Sequence, residues 1–424
     1  MTLPALLGDY WGMLLSFVLL YPITMSFIWM IGSVVFYFRH ERHPHRSSVS
    51  EPPERSAYPR VAILVPCFNE EANVREAIEG LMRLHYPDFE VIAIDDGSAD
   101  RTGAILDELA ALHPRLRVIH HAANQGKAIG LNTAALLTRA DILVGIDADA
   151  VLDPYCLHWL VRHFDIPEVG AVTGNPRVRT RSTMLGRIQV GEFSSIIGLI
   201  KRAQRSINLL FTVSGVISAF RRTALYEAGF WTPDKLTEDV DITWKLQLAG
   251  WDVRFEPRAL CWILMPETLG GLWRQRLRWA TGGAQVILDY WYEIWRKPRL
   301  WPVMAEYCLS IAWAFCLGLL IFYRIADLVI YDVDLQSAPV LMLGWAGMLL
   351  GATFLVQSLV SLWLDRHYDH GLMRIWFWMI WYPLVYWAIG ATTVVVALPN
   401  ALLRKSGTRA TWTSPDRGLT PRER

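Results

Sequence analysis

Four long stretches of the chain are almost free of charge, and between the first and the other three lies a segment where short apolar runs alternate with sequence of helical period. Residues 10–38 hold no Lys, Arg, Asp or Glu, residues 303–323 hold only Glu306, and residues 338–364 and 375–398 hold none. A helix that spans a bilayer needs about 20 such residues. Each stretch therefore predicts a membrane segment. The first lacks the basic start and small-residue cleavage site of a signal peptide and reads as a retained anchor.

The charges that flank these stretches predict their orientation. No Lys or Arg precedes the first, whereas Arg39, Arg42, Arg46, Arg55 and Arg60 follow it, which places the next segment in the cytosol. Arg296, Lys297 and Arg299 precede the second stretch, acidic Asp327, Asp332 and Asp334 follow it, and Arg366 and Arg374 separate the last two. The tail conflicts with simple alternation. Four crossings that start outside end outside, yet Arg404, Lys405, Arg409, Arg417, Arg422 and Arg424 favour the cytosol. One resolution is that the last run, interrupted by Pro383 and continuing to Leu403, bends or re-enters instead of crossing.

The intervening segment, residues 61–291, is a single cytosolic domain by length, preceded by a proline-bearing linker at 39–60 and followed by an amphipathic, Trp-rich stretch at 266–301. Apolar runs at 61–66, 91–94, 118–120 and 142–146 predict strands, and helices start near Glu70, Asp100, Gly126 and Asp153. Strands that alternate with helices make an α/β domain with a parallel sheet, whose ligands bind beyond the carboxyl ends of the strands.

Those ends are acidic. Glu70 and Glu71 follow the first strand, Asp95 and Asp96 the second, and Asp147 and Asp149 the fourth. Singly, each reads as a helix cap. Together they would repel one another unless a cation sat among them, and a divalent ion with a nucleoside diphosphate fits. The chain has no Walker loop and no GxGxxG after the first strand, which disfavours a P-loop or dinucleotide enzyme. Further on, Thr237, Glu238 and Asp239 put acids at a positive helix N-terminus. Gln275, Arg278 and Trp279 share one helix face, where a guanidinium suits a diphosphate and an indole suits a sugar ring.

Composition narrows the picture in three ways. Residues are 53% hydrophobic and 19% charged, a balance that goes with lipid contact. Forty-one basic against 40 acidic side chains give a net charge of +1 and no reason to expect nucleic acid. The five cysteines are scattered without CxxC spacing, so neither a disulfide framework nor a zinc site is expected, and Cys67 reads as a small buried residue. Arg177, Arg179, Arg181 and Arg187 read as a solvated basic loop, and His40, His43 and His45 as a segment that faces lipid headgroups.

The ordered set of Asp95–Asp96, DAD at 147–149, TED at 237–239 and QRLRW at 275–279 resembles the family 2 glycosyltransferases, in particular the processive membrane synthases of cellulose, chitin, hyaluronan and poly-N-acetylglucosamine. VTGNPRVRTRST at 172–183, GEFSSIIGLIKR at 191–202, FTVSGVISAFRR at 211–222 and RALCWILMPETL at 258–269 resemble the β-1,6-linked poly-N-acetylglucosamine branch. The resemblance covers essentially the whole chain. It implies a GT-A type, Rossmann-like domain flanked by transmembrane helices in a bacterial inner membrane. The implied reaction is inverting polymerisation of N-acetylglucosamine from UDP-GlcNAc into a biofilm polysaccharide, coupled to export and supported by a small accessory membrane subunit. Asp96, with Asp95 beside it, is implied at the uridine end, Asp149 as ligand of Mg²⁺ or Mn²⁺ with Asp147 nearby, and Lys127 at a phosphate. Asp239, next to Glu238, is implied as general base. Gln275, Arg278 and Trp279 are implied at the diphosphate and the acceptor end. Relatives often carry two helices before the catalytic domain where this chain has room for one. A related β-glycan synthase, transfer of one sugar to a polyprenyl phosphate, and a nucleotide-sensing regulator are the competing readings.

Overall fold

The computed structural model describes residues 3–42, 52–331 and 344–404, together with 407, 409 and 410. Several charges used above lie outside the described residues: Arg46, Asp332, Asp334, Lys405, Arg417, Arg422 and Arg424, and likewise His43 and His45.

Helix α1 (Leu3–Phe36) continues into a π-turn at Tyr37–Glu41. The α/β domain follows as β1 (Val61–Cys67), α2 (Val74–Met82), β2 (Phe89–Asp95), α3 (Thr102–Leu112), β3 (Leu116–His120), α4 (Lys127–Leu136) and β4 (Ile142–Ile146). Next come β5 (Val151–Leu152), α5 (Cys156–Val161), β6 (Val169–Val178), α6 (Met184–Glu192), α7 (Leu199–Ser206), β7 (Ile217–Arg221), α8 (Arg222–Glu227), α9 (Glu238–Ala249) and β8 (Asp252–Ile263). The chain then enters α10 (Leu269–Trp295), α11 (Trp301–Tyr331) and α12 (Trp345–Asp365). A 3₁₀ stretch at Leu372–Trp381 leads into α13 (Tyr382–Leu403).

The sheet order is β3-β2-β1-β4-β7-β6-β8-β5. Helical crossovers join β1 to β4, and these four strands are parallel, as their alternation with helices requires. Beyond the four strands read from the sequence the sheet is mixed: β7 runs antiparallel to both β4 and β6, and β5 antiparallel to β8. Strands β1, β2 and β4 are buried along their whole length, which explains why they read as unbroken apolar runs. One side of the sheet packs on α2, α3 and α5, the other on α4, α8 and α9.

Among the described residues four helices are long and apolar enough to cross a membrane: 12–41, 298–323, 347–365 and 386–403. Glu306, the one charge of the second run, does not face lipid unpaired. It accepts from Trp29 Nε1 (2.8 Å) and Gln204 Nε2 (2.9 Å). The two ends of α13 both return to the globular domain, for Tyr382 donates to Glu192 (3.4 Å) and Arg404 to the Asp234 carbonyl (3.3 Å).

The solvated basic loop expected at 177–187 is also corrected. Arg177 is fully buried and its Nη1 lies 2.7 Å from Asp365 at the end of α12. Arg181 donates to both oxygens of Asp369 (3.1 and 2.6 Å). Arg202 of α7 joins the same cluster, reaching Asp365 (2.8 Å) and Glu41 (2.8 Å). Buried guanidinium groups require such partners, because an unpaired buried charge is far costlier than a paired one.

Candidate active site

The loops that leave β1 and β2 are knitted together by hydrogen bonds. Asn69 N donates to Ser98 Oγ (3.0 Å), Ala99 N to Asn69 Oδ1 (2.9 Å), and Arg101 N to Glu71 (3.2 Å). Gly97 has φ +72°, and a Cβ there would lie 2.7 Å from the backbone of Ala123, so only glycine fits between these loops. Asp95 accepts from Ser98 N (3.1 Å) and pairs with His120 Nδ1 (3.0 Å). Asp96 is fully buried and accepts from Gln125 N (2.9 Å) and Gly126 N (2.8 Å), with His121 Nδ1 at 2.8 Å. Both carboxylates, and Glu71 with them, therefore shape the 97–126 loops. Neither aspartate caps a helix, since α3 and α4 start at Thr102 and Lys127 without a side-chain cap, and Asp96 bears on a ligand through the loop that it holds.

Beyond β4 the acids are arranged differently. The Lys127 ammonium, at the start of α4, lies 2.6 Å from Asp147, 3.0 Å from Glu238, and donates to the Gly215 carbonyl (3.1 Å). Burial opposes its charge, but the Asp147 and Glu238 carboxylates prevail and hold the ammonium above the usual lysine range. Asp149, two residues along, is buried. One cation thus ties the end of β4 to the N-terminus of α9.

Asp239 is half-buried beside this group. Gly215 N donates to its Oδ2 (3.1 Å) and Val240 N to its Oδ1 (2.9 Å), which fixes the plane of the carboxylate. Burial and the adjacent Glu238 push its pKa up to about 6, while Lys127 and Arg278 act in the opposite direction. That value suits a general base at neutral pH, since the group is mostly ionised yet takes a proton readily.

Helix α10 closes the site from the membrane side. Gly282 and Gly283 let it approach closely: a Cβ at 282 would sit 2.2 Å from Thr237 Oγ1, and one at 283 would sit 2.5 Å from Tyr307 Oη. Arg278 is exposed and donates to the Leu236 carbonyl (3.2 Å), next to the TED run. Gln275 Oε1 is buried with no hydrogen-bond partner. Trp279 lies under the Arg276 guanidinium (4.4 Å to the ring centroid), so one indole face is already covered. Arg276 is held in turn by Glu192 (2.6 Å). The structure thus brings Lys127, Asp147, Glu238, Asp239 and Arg278 together, and leaves Asp95 in loop support.

Two contributors were not read from the sequence. The Gly215 peptide group, which serves both Asp239 and Lys127, lies within the FTVSG run but bears no side chain to mark it. Lys201 is buried on α7, where nothing in the local sequence signals burial. The chain after α13 also reaches this region: Arg409 donates to Gln125 Oε1 (2.6 Å) and Ala410 N to the Pro233 carbonyl (3.1 Å).

Comparison with known proteins shows what the chain as a whole is similar to. Residues 59–282 match the family model described as glycosyltransferase like family 2. The poly-beta-1,6-N-acetyl-D-glucosamine synthase of Staphylococcus epidermidis is 37% identical over 406 residues, covering 95% of this chain and 98% of its own. The synthase of the same name from Staphylococcus aureus strain COL is 37% identical over 412 residues, covering 96% and 99%. Among solved structures, the mannosyltransferase PcManGT from Pyrobaculum calidifontis, in complex with GDP-Man and Mn²⁺, is similar in fold. Its TM-score is 0.62 at 22% identity, with 92% of this chain and 99% of that one covered.

Proposed function

The chain belongs to glycosyltransferase family 2, and from that premise we propose that it polymerises N-acetylglucosamine from UDP-GlcNAc into a β-1,6-linked polysaccharide. The observation that carries the chemistry is the Asp239 carboxylate, fixed by two peptide N–H groups beside Lys127. The identity of the sugar and of the linkage follows the names of the full-length relatives.

In the proposed reaction an acceptor hydroxyl attacks the anomeric carbon of the donor. The new C–O bond forms as the bond to the UDP oxygen breaks, the hydroxyl proton passes to Asp239, and the departing electron pair stays on the diphosphate. Lys127 and Arg278 supply positive charge where that negative charge develops. One carboxylate base without a covalent intermediate gives inversion, hence a β-linkage from an α-donor. Asp96 acts at the nucleoside end through the 121–126 loop that it anchors. Gln275, with its unpartnered Oε1, and Trp279 act at the acceptor end.

A divalent ion fits this donor set. Among the described residues no three His, Cys, Asp or Glu converge as a protein cage. Mg²⁺ or Mn²⁺ bound with a nucleotide needs only one or two carboxylates besides the phosphates, however, and Asp149 with Asp147 supplies them. When bound, the ion would neutralise charge on the leaving diphosphate.

The catalytic domain, residues 61–291, is assigned to the cytosol and the whole chain to the bacterial inner membrane, with a small accessory membrane protein as partner. Because both ends of the unbroken α13 touch the globular domain, α13 is assigned a course along that domain instead of a crossing. The basic tail then stays on the side of the catalytic domain, as its charge favours. Incubating membranes with labelled UDP-GlcNAc tests the assignment. Insoluble polymer cleaved by a β-1,6-hexosaminidase, and resistant to chitinase and hyaluronidase, is expected. Solvent-extractable label would instead mean a lipid-linked product, and α-linked product would exclude inversion.

A further inference from the structure

Helix α7 carries three buried cations, and their partners differ. Arg202 pairs with Glu41 and Asp365, and Arg205 with Asp252 (2.8 Å). Lys201 is equally buried, yet among the described residues it forms no ion pair with a carboxylate. Its Nζ donates to Ser214 Oγ and lies 5.8 Å from the Phe255 ring centroid. Lysine is almost never fully buried unless paired, because the ammonium loses its hydration.

What Lys201 touches explains its placement. Ser214 opens the turn into β7, and its N donates to Thr173 Oγ1 (2.8 Å). The next residue, Gly215, donates its N–H to Asp239 and accepts from Lys127 at its carbonyl. Lys201 therefore binds one residue away from the peptide group that orients the Asp239 carboxylate. We propose that Lys201 is a positioning residue, which fixes the Ser214–Gly215 turn and whose buried ammonium keeps Asp239 ionised for its part as base. The inference rests on the reading of Asp239 as that base.

The charges facing each group set the direction of the effect. Glu238, Lys127 and Arg278 are the charges that bear most on Asp239, and Lys201 stands one residue along the Ser214–Gly215 turn from the peptide group that bonds it. Burial pushes the Lys201 ammonium down to about 7, and Asp239 is the charge that opposes this. Near pH 6, where Asp239 takes up its proton, Lys201 is still mostly charged. Removing that charge raises the pH at which Asp239 ionises.

The test is the pH dependence of polymer synthesis by full-length protein in membranes, from pH 5.5 to 9, for wild type, Lys201→Met, Lys201→Arg and Asp239→Asn. Lys201→Met is expected to move the acid limb up by about one pH unit, so that its rate at pH 6.5 relative to its own rate at pH 8.5 falls about threefold. Lys201→Arg keeps the charge and is expected to leave the acid limb no higher than in wild type. UDP binding by calorimetry establishes that each variant is folded. If the methionine variant does not bind UDP, the arginine variant decides, and an acid limb above that of wild type overturns the inference. A uniform loss of rate at every pH in Lys201→Met also overturns it, since a merely structural role would do that. Polymer synthesis by Asp239→Asn would instead overturn the assignment of the base, and the two failures are separately visible.

Discussion

Gly282→Ala probes whether the closeness of α10 to the TED helix serves catalysis or only packing. Helix propensity alone favours alanine by about 1 kcal/mol at an interior helical position. Against this, the added methyl would lie 2.2 Å from Thr237 Oγ1, 2.5 Å from Cγ2 and 2.8 Å from Cβ, and the first contact alone forces the helices apart by roughly 1 Å. Overpacking of that kind costs about 1–3 kcal/mol, so the net loss of stability is only about 0–2 kcal/mol. The effect on rate should be larger, because Arg278 and Asp239 sit on the two helices being separated, and about 1 Å of misplacement costs on the order of 10²-fold. The expected outcome is a folded protein that still binds UDP and makes polymer about a hundred times more slowly in a membrane assay with labelled UDP-GlcNAc. Thr237 offers a compensating change. Its Oγ1 is buried without a hydrogen-bond partner, so Thr237→Ala removes two of the three clashing atoms and leaves no donor or acceptor stranded. The double variant should recover about tenfold, worth about 1.4 kcal/mol of barrier. A Gly282→Ala enzyme with a rate within threefold of wild type, or no recovery in the double variant, would refute the argument.

The remaining predictions concern charge. Asp239 works as a base only when ionised and its pKa is raised to about 6, so polymer synthesis should be full above pH 7 and fall about tenfold per unit below pH 6; an acid limb below pH 5 would contradict this. Lys127→Met should lower the rate by about 10²–10³-fold, because it removes the cation between Asp147 and Glu238 and strands both carboxylates. Asp365→Ala leaves Arg177 and Arg202 buried without it and should destabilise the protein by about 3–5 kcal/mol, read as a shortened half-life on heating in detergent. Chelation with EDTA should stop synthesis, and Mg²⁺ or Mn²⁺ should restore it; undiminished polymer in EDTA would remove the ion from the proposed site.

What the sequence made legible follows from how far apart the deciding residues lie. Strands β1, β2 and β4 were visible because both of their faces are buried, so their apolar runs carry the whole signal. The four long apolar helices were visible for a different reason, the length of their nearly uncharged runs, since most of each helix is exposed. The mixed half of the sheet was not, since the place of β6 between β7 and β8 depends on pairing and not on local pattern. The acids show the limit most clearly. An aspartate after a strand looks the same in sequence whether its oxygens meet peptide N–H groups of its own loops, as Asp95 and Asp96 do, or a lysine of the next helix, as Asp147 does.

Buried cations were the least legible, and they link the membrane part to the chemistry. Arg177 finds Asp365 at a separation of 188 residues, and Arg202 finds Glu41 at 161, so no window of sequence contains either pair. Lys201 and Arg202 are consecutive on α7 and therefore point about 100° apart around its axis. One is directed to the turn that holds Asp239, the other to the cluster at the ends of α1 and α12. The position of α7 is thus fixed by carboxylates that close two membrane segments, and through Lys201 that position reaches the base. A family resemblance built from DAD, TED and QRLRW points to the groups proposed to react, but the residues proposed to hold Asp239 in place lie between those motifs, in pairs that only the folded chain brings together.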